Sequence, residues 1–226
     1  FNTGRMLLID TQLEGKLKAG STEHNLLTGI DIQRNHTGQQ SWRSVAPAID
    51  VYNPVYGNFT PPTASQLVHQ PNVVQKQLGF YAQDQIQWGR WTATLGLRHD
   101  SAQTETEGRP AAAVDDKVWT KRAGVTYQMD GGWAPYAGYS ESFQPLGGVD
   151  VYGTAYKPQR GEQWEAGVKW QPPGQGISAF AAVYTLRDKN RKTSDPSNPL
   201  NSLQIGEVKV NGFETEVQAS LARQWD

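Results

Sequence analysis

The chain of 226 residues has no cysteine, which excludes disulfide frameworks and thiolate metal or catalytic sites. It also lacks any apolar run of transmembrane-helix length, although 37% of its residues are hydrophobic. An excess of charge is missing too: 21 basic and 22 acidic side chains leave a net charge of -1, without the basic footprint of a nucleic-acid binder. The four histidines, His24, His36, His69 and His99, have neither the helical nor the short-loop spacing of a metal site, and they read as surface residues. No phosphate-cradling glycine loop and no nucleophile elbow is present, so the sequence names no catalytic residue, no metal and no cofactor, and points away from an enzyme. No signal peptide opens the chain at Phe1, and we expect a piece of something longer whose targeting segment lies elsewhere.

What is present is alternation. Val73 to Trp88 and Trp91 to Asp100 read as two strands joined only by Gly89 and Arg90. In the first, Val74, Leu78, Phe80, Ala82, Ile86 and Trp88 share one face, and Gln75, Gln77, Tyr81, Gln83, Gln85 and Gln87 share the other. Such a sheet has one apolar and one wet side. A soluble sandwich turns the apolar side inward; a membrane barrel turns it to lipid and lines a polar lumen, while keeping a low mean hydropathy such as the -0.64 of this chain. Asp84 falls on the apolar face, where a bulge or a place outside the hydrocarbon layer is expected.

The same pattern recurs at Arg5 to Lys18, His24 to Arg34, Trp119 to Gln128, Trp133 to Phe143, Gln163 to Trp170, Ile177 to Arg187 and a last strand ending at Leu221, with Gly212 as an expected bulge. Short turns alternate with long, proline-bearing loops at His36 to Asn72, Ser101 to Val118, Gln144 to Glu162 and Asp188 to Leu203. The two rims of the sheet therefore differ, as they do in outer-membrane barrels. Trp88, Trp91, Tyr127, Trp133, Trp170 and Trp225 sit beside short turns, where an aromatic girdle meets the periplasmic interface; in a sandwich they would cap a core. The reading is all-β: an antiparallel transmembrane β-barrel segment of about nine to ten strands, whose open edges need further strands to close.

Two carboxylate pairs stand close in sequence. Asp115 and Asp116 read as solvated loop charge before a cation site, and Glu214 and Glu216 as lumen-facing acids before a glycosidase pair. Aromatics in the polar loops, Trp42, Tyr52, Tyr56, Phe59, Trp119, Tyr152 and Tyr156, either line a vestibule for an amphipathic ligand or pin the loops together.

Four stretches carry a family resemblance: Tyr81-Ala-Gln-Asp-Gln85, Tyr139-Ser-Glu-Ser-Phe-Gln-Pro145, Arg160-Gly-Glu-Gln-Trp-Glu-Ala-Gly-Val-Lys169 and Asn211-Gly-Phe-Glu-Thr-Glu216. In order and spacing they resemble signatures of TonB-dependent siderophore receptors. Val51-Tyr-Asn-Pro-Val55 and Asp116-Lys-Val-Trp-Thr120 are similar to a loop and a strand start of the ferrichrome-type hydroxamate receptors. The resemblance implies that residues 1–226 belong to a 22-stranded barrel whose N-terminal plug domain is outside this sequence. It implies a Gram-negative outer-membrane receptor that imports a ferric siderophore. Its partners would be that ligand, membrane lipid and lipopolysaccharide, and the TonB complex through the missing N-terminal region. Tyr52 and Trp119 fall where such receptors hold aromatic siderophore contacts, with Tyr56 close by. Because a siderophore saturates its own Fe(III), the protein would supply aromatic surface and hydrogen bonds, not metal ligands. The rivals are a passive porin-like channel and a soluble carbohydrate-binding β-domain.

Overall fold

The structure is a computed structural model that describes residues 2–41, 48–57, 60–61, 63–150, 152–197, 202–204 and 206–220. Its strands are β1 (Asn2–Ala19), β2 (Thr22–Ser41), β3 (Val68–His69), β4 (Val73–Trp88), β5 (Trp91–Thr106), β6 (Val114–Tyr127), β7 (Trp133–Gln144), β8 (Gln159–Trp170), β9 (Ile177–Lys189), β10 (Lys192–Ser194), β11 (Ser202–Gln204) and β12 (Glu207–Ala219). The nine long strands form one antiparallel sheet in the order β1-β2-β4-β5-β6-β7-β8-β9-β12, with β3 added to the end of β2 and β10 paired with β11 apart from it. Trp42, Phe59, Leu221 and Trp225, named above, lie outside the described residues.

Register divides the side chains cleanly, since paired residues project to the same face. Ile9, Ile32, Leu78 and Ser101 follow one another across the first four strands, as do Thr28, Ala82, Leu97 and Lys121 across β2, β4, β5 and β6. On the opposite face Asp10, Asp31, Gly79 and Asp100 align, and Asp100 is 2% exposed. The polar face is thus the crowded one, whereas Phe80, Leu95 and Leu97 on the apolar face stay about half exposed. An apolar face left open beside a packed polar one is the reverse of a sandwich and fits a barrel wall seen from lipid and from lumen.

The short rim is built from tight turns. Gly20 and Gly89, at φ 59° and 57°, open two-residue turns that a side chain would strain, and Gly131 and Gly132 play the same part between β6 and β7. Beside these turns Trp91 meets Tyr127 at 4.6 Å and Trp133 meets Trp170 at 5.6 Å, which forms the expected girdle. A second aromatic level lies higher on the same outward face, where His99 meets Trp119 at 4.6 Å and Tyr139 meets Trp164 at 4.7 Å. Eight residues separate Trp91 from His99 and Tyr127 from Trp119. At about 3.3 Å per residue and a tilt near 40°, that span is roughly 20 Å along the membrane normal, close to the apolar band of such barrels.

Several sequence expectations need correction. The strands run on into stretches read as loops: β2 reaches Ser41, β5 reaches Thr106 and β6 begins at Val114. Beyond the upper aromatic level the outward face leaves the hydrocarbon layer and turns polar, so the hydrophobic alternation fades while the backbone ladder continues and the inward Ala102, Thr104 and Val118 stay buried. No bulge occurs at Asp84 or at Gly212, since both sit in unbroken registers. Asp84 is instead paired on the outward face with His24, Nδ1 to Oδ2 at 2.7 Å, and so His24 is not a free surface residue. Gly212 is glycine because the Tyr184 ring from β9 lies over it and leaves no room for a Cβ. Between β6 and β7 the ladder spans only Arg122 to Thr126 with Tyr136 to Ser140; above it Glu141 Oε2 accepts from the Lys121 backbone N–H at 3.2 Å.

Candidate functional site

The inward face carries the polar groups. Arg98 of β5 reaches sideways over the sheet to Asp31 of β2 and grips Asp100, Nε to Oδ2 at 2.8 Å, while Gln77 Nε2 donates to Asp100 Oδ1 at 2.8 Å. Tyr81 donates to Asp10 at 2.8 Å, and Gln163 Nε2 donates to Glu165 at 2.9 Å. Glycines make room for these side chains: Gly79 lies under Arg98, and Gly29 under Tyr81. The Arg98 ion pairs and the hydrogen bonds of Gln77, Tyr81 and Gln163 tie these side chains to one another, so this stretch is a wall that holds its shape.

Above the upper aromatic level, strand ends and loops enclose a cavity of about 480 Å³. Its walls are Gln33 and Asn35 from β2, Gln75 and Gln77 from β4, Phe143 and Gln144 from β7, the following Pro145, Leu146 and Gly147, and Lys192 from β10. Alternation places the four glutamines and asparagines of β2 and β4 on the inward face, since Asn35 pairs with Gln75 and Gln33 with Gln77. The segment after β7 folds over this region, where Gln75 Nε2 donates to the Pro145 carbonyl at 3.3 Å. Gly147 there rests against Thr104, which is 1% exposed, so a Cβ would collide.

A second loop contact fixes the other side. Tyr156 is buried and donates to the Ser202 carbonyl at 3.0 Å, while Gln204 bonds Lys157 twice, accepting from its N–H at 2.9 Å and donating to its carbonyl at 2.6 Å. Lys192 Nζ stands 4.1 Å from the Tyr156 ring centroid. Burial lowers the Lys192 ammonium from its ordinary range, and burial together with the Asp150 charge raises the Tyr156 hydroxyl. A cavity lined by amides and one ammonium offers donors to ligand oxygens.

The residues singled out from sequence do not all converge here. Tyr52 and Tyr56 lie on the long loop and are 99% and 82% exposed, free to meet an arriving ligand. Trp119 faces outward beside His99, away from the lumen, so the vestibule contact expected of it is corrected to a place in the upper aromatic belt. Asp115 and Asp116 follow each other along β6 and so project to opposite faces, which prevents joint chelation. Glu214 and Glu216 project inward from β12, opposite Ala182 and Phe180 of β9. Among the described residues no group of three or more His, Asp or Glu side chains converges to hold a metal. The cavity itself was not read from the sequence. Its signal was present as amides at Gln33, Asn35, Gln75 and Gln77, but alternation alone does not say which loops close over them.

One sheet, apolar and aromatic-belted outside, polar inside, with short turns on one rim and a loop-covered cavity at the other, defines the wall of a transmembrane β-barrel. The chain belongs to the TonB-dependent receptor family, matching the description "TonB dependent receptor-like, beta-barrel" over residues 2–226. It is 38% identical over 223 residues to the ferrichrome outer membrane transporter/phage receptor of Escherichia coli (strain K12), covering 95% of this chain and 30% of that protein. It is 36% identical over 220 residues to the ferrioxamine B receptor of Salmonella typhimurium (strain SL1344), covering 96% of this chain and 31% of that protein. The crystal structure of the ferric-catecholate import receptor Fiu from Escherichia coli K12, closed form, shares the fold at a TM-score of 0.77 and 21% identity, over 98% of this chain and 36% of that one. The chain spans less than a third of the length of these two curated relatives and is part of an outer-membrane barrel.

Proposed function

We propose that this chain is wall and vestibule of a receptor that binds a ferric siderophore of the hydroxamate class and imports it across the outer membrane. The observation that carries the reading is the amide-lined cavity at the loop rim, inward of the wall and above the belts. A ferric hydroxamate presents oxygens and apolar linkers around an iron that is already saturated. It needs hydrogen-bond donors and aromatic surface, and no protein metal ligand. The names of the ferrichrome and ferrioxamine B relatives support the same ligand class. Import would be energised by the TonB complex through a plug domain beyond this sequence, with lipopolysaccharide and lipid around the outward face. The role is transport, not catalysis, and no cofactor is required beyond the iron carried by the ligand.

Tyr52 and Tyr56 are the aromatic groups we assign to first capture of the ligand, because both stand free on the long loop. The test is ferric-hydroxamate binding by the purified receptor, followed by quenching of its tryptophan fluorescence. The Tyr52→Ala, Tyr56→Ala double variant should bind about tenfold or more weakly, the scale of one or two lost aromatic contacts. Unchanged affinity would remove both residues from the site, and no binding of ferric hydroxamates by the unaltered receptor would overturn the function.

A further inference from the structure

Several lysines along the sheet hold a carboxylate, whereas Lys169 has only the Tyr136 ring, 5.2 Å from its ammonium. Lys76 pairs with Glu105 at 3.2 Å, Lys121 with Glu141 at 3.6 Å and Lys189 with Glu162 at 2.6 Å. Lys192 lines the vestibule cavity and has no carboxylate partner within ion-pair distance among the described residues. Its ammonium is held over the Tyr156 ring instead, at 4.1 Å. The post is rigid, because Tyr156 is anchored to Ser202 and Lys192 pairs with Gln204, whose side chain also donates to the Asn190 carbonyl at 2.8 Å.

The facing wall is unsatisfied in a matching way. Gln33, Asn35 and Gln144 make no side-chain hydrogen bond within the described residues, and Asn35 Oδ1 is buried without a partner. Each amide can turn its NH2 toward the cavity, so three neutral donors surround one cation. Lys192 is exposed on its strand, so its ammonium is reachable from the cavity, and a ligand that brings the opposite charge gains a charge-assisted hydrogen bond there.

We infer that Lys192 selects for charge: the vestibule takes a ferric hydroxamate bearing a free carboxylate, which the Lys192 ammonium and the amides of Gln33, Asn35 and Gln144 bind together. The inference rests on the siderophore reading above and names the ligand class within it. A ferric complex ending in an ammonium would meet Lys192 as a like charge and bind worst. One ending in a neutral amide would fall between.

The test uses the complete receptor in detergent and three ferric complexes of one linear trihydroxamate scaffold, whose free end is a succinyl carboxylate, an acetamide or an ammonium. The carboxylate form should bind about tenfold more tightly than the acetamide form, the scale of one charge-assisted hydrogen bond, with the ammonium form weakest. Lys192→Gln should bring the carboxylate and acetamide forms to equal affinity, and Lys192→Arg should retain the preference. Three equal affinities in the unaltered receptor, or a preference that survives Lys192→Gln, overturn the inference while leaving the siderophore reading intact. Failure of all three complexes to bind overturns both.

Discussion

His24 and Asp84 show how a charge survives on a face turned to lipid. Thr22 Oγ1 donates to the Ala19 carbonyl at 2.8 Å and stands 3.0 Å from His24 Nε2. Nδ1 faces the Asp84 carboxylate at 2.7 Å, so both ring nitrogens have a polar partner. Each side chain is about a fifth to a quarter exposed, and breaking the pair strands a charge that water reaches poorly. His24→Ala should lower stability by about 1–3 kcal/mol in urea unfolding of the receptor, and His24→Leu with Asp84→Leu should recover most of that loss. A single variant as stable as the unaltered receptor would show that the pair carries no weight. The sequence exposed Asp84 as an anomaly but not its solution, because the partner lies 60 residues away and only the β2/β4 register brings them together.

At the scale of the strand, the positions of β4, β7 and the tight turn between β4 and β5 were legible because lipid imposes strict alternation and tight turns need glycine or polar residues. Legibility ended at the upper aromatic level. There the outward face has left the lipid and turned polar, so strand and loop have similar compositions, and the upper parts of β2, β5 and β6 were read as loop. Trp119 was misplaced for the same reason: an aromatic near a loop resembles a ligand contact until register assigns its face. Inside the wall, glycines opposite large side chains set how strands fit. Gly212→Ala should force the Tyr184 ring aside and cost about 1–3 kcal/mol, and Tyr184→Ala in the same chain should relieve the clash. Thermal unfolding of the two variants checks this; a Gly212→Ala receptor of unchanged stability would mean that the ring swings away freely.

For the whole molecule, the open edges at β1 and β12 and the inward polar wall require further strands to close a barrel in lipid. The barrel, its two rims and its outward girdle could be argued from the residues alone. The ligand class could not, because it depends on which loops fold over Gln33, Asn35, Gln75 and Gln77 and on the cation they bring. A passive pore would share the wall and the belts, and differs in needing no energy source. Uptake of a radiolabelled ferric hydroxamate by cells producing the complete receptor, with and without a functional TonB complex, separates the two most directly. Saturable uptake that is lost without TonB is the predicted result. Uptake that continues undiminished without TonB would contradict a gated receptor and leave a passive channel.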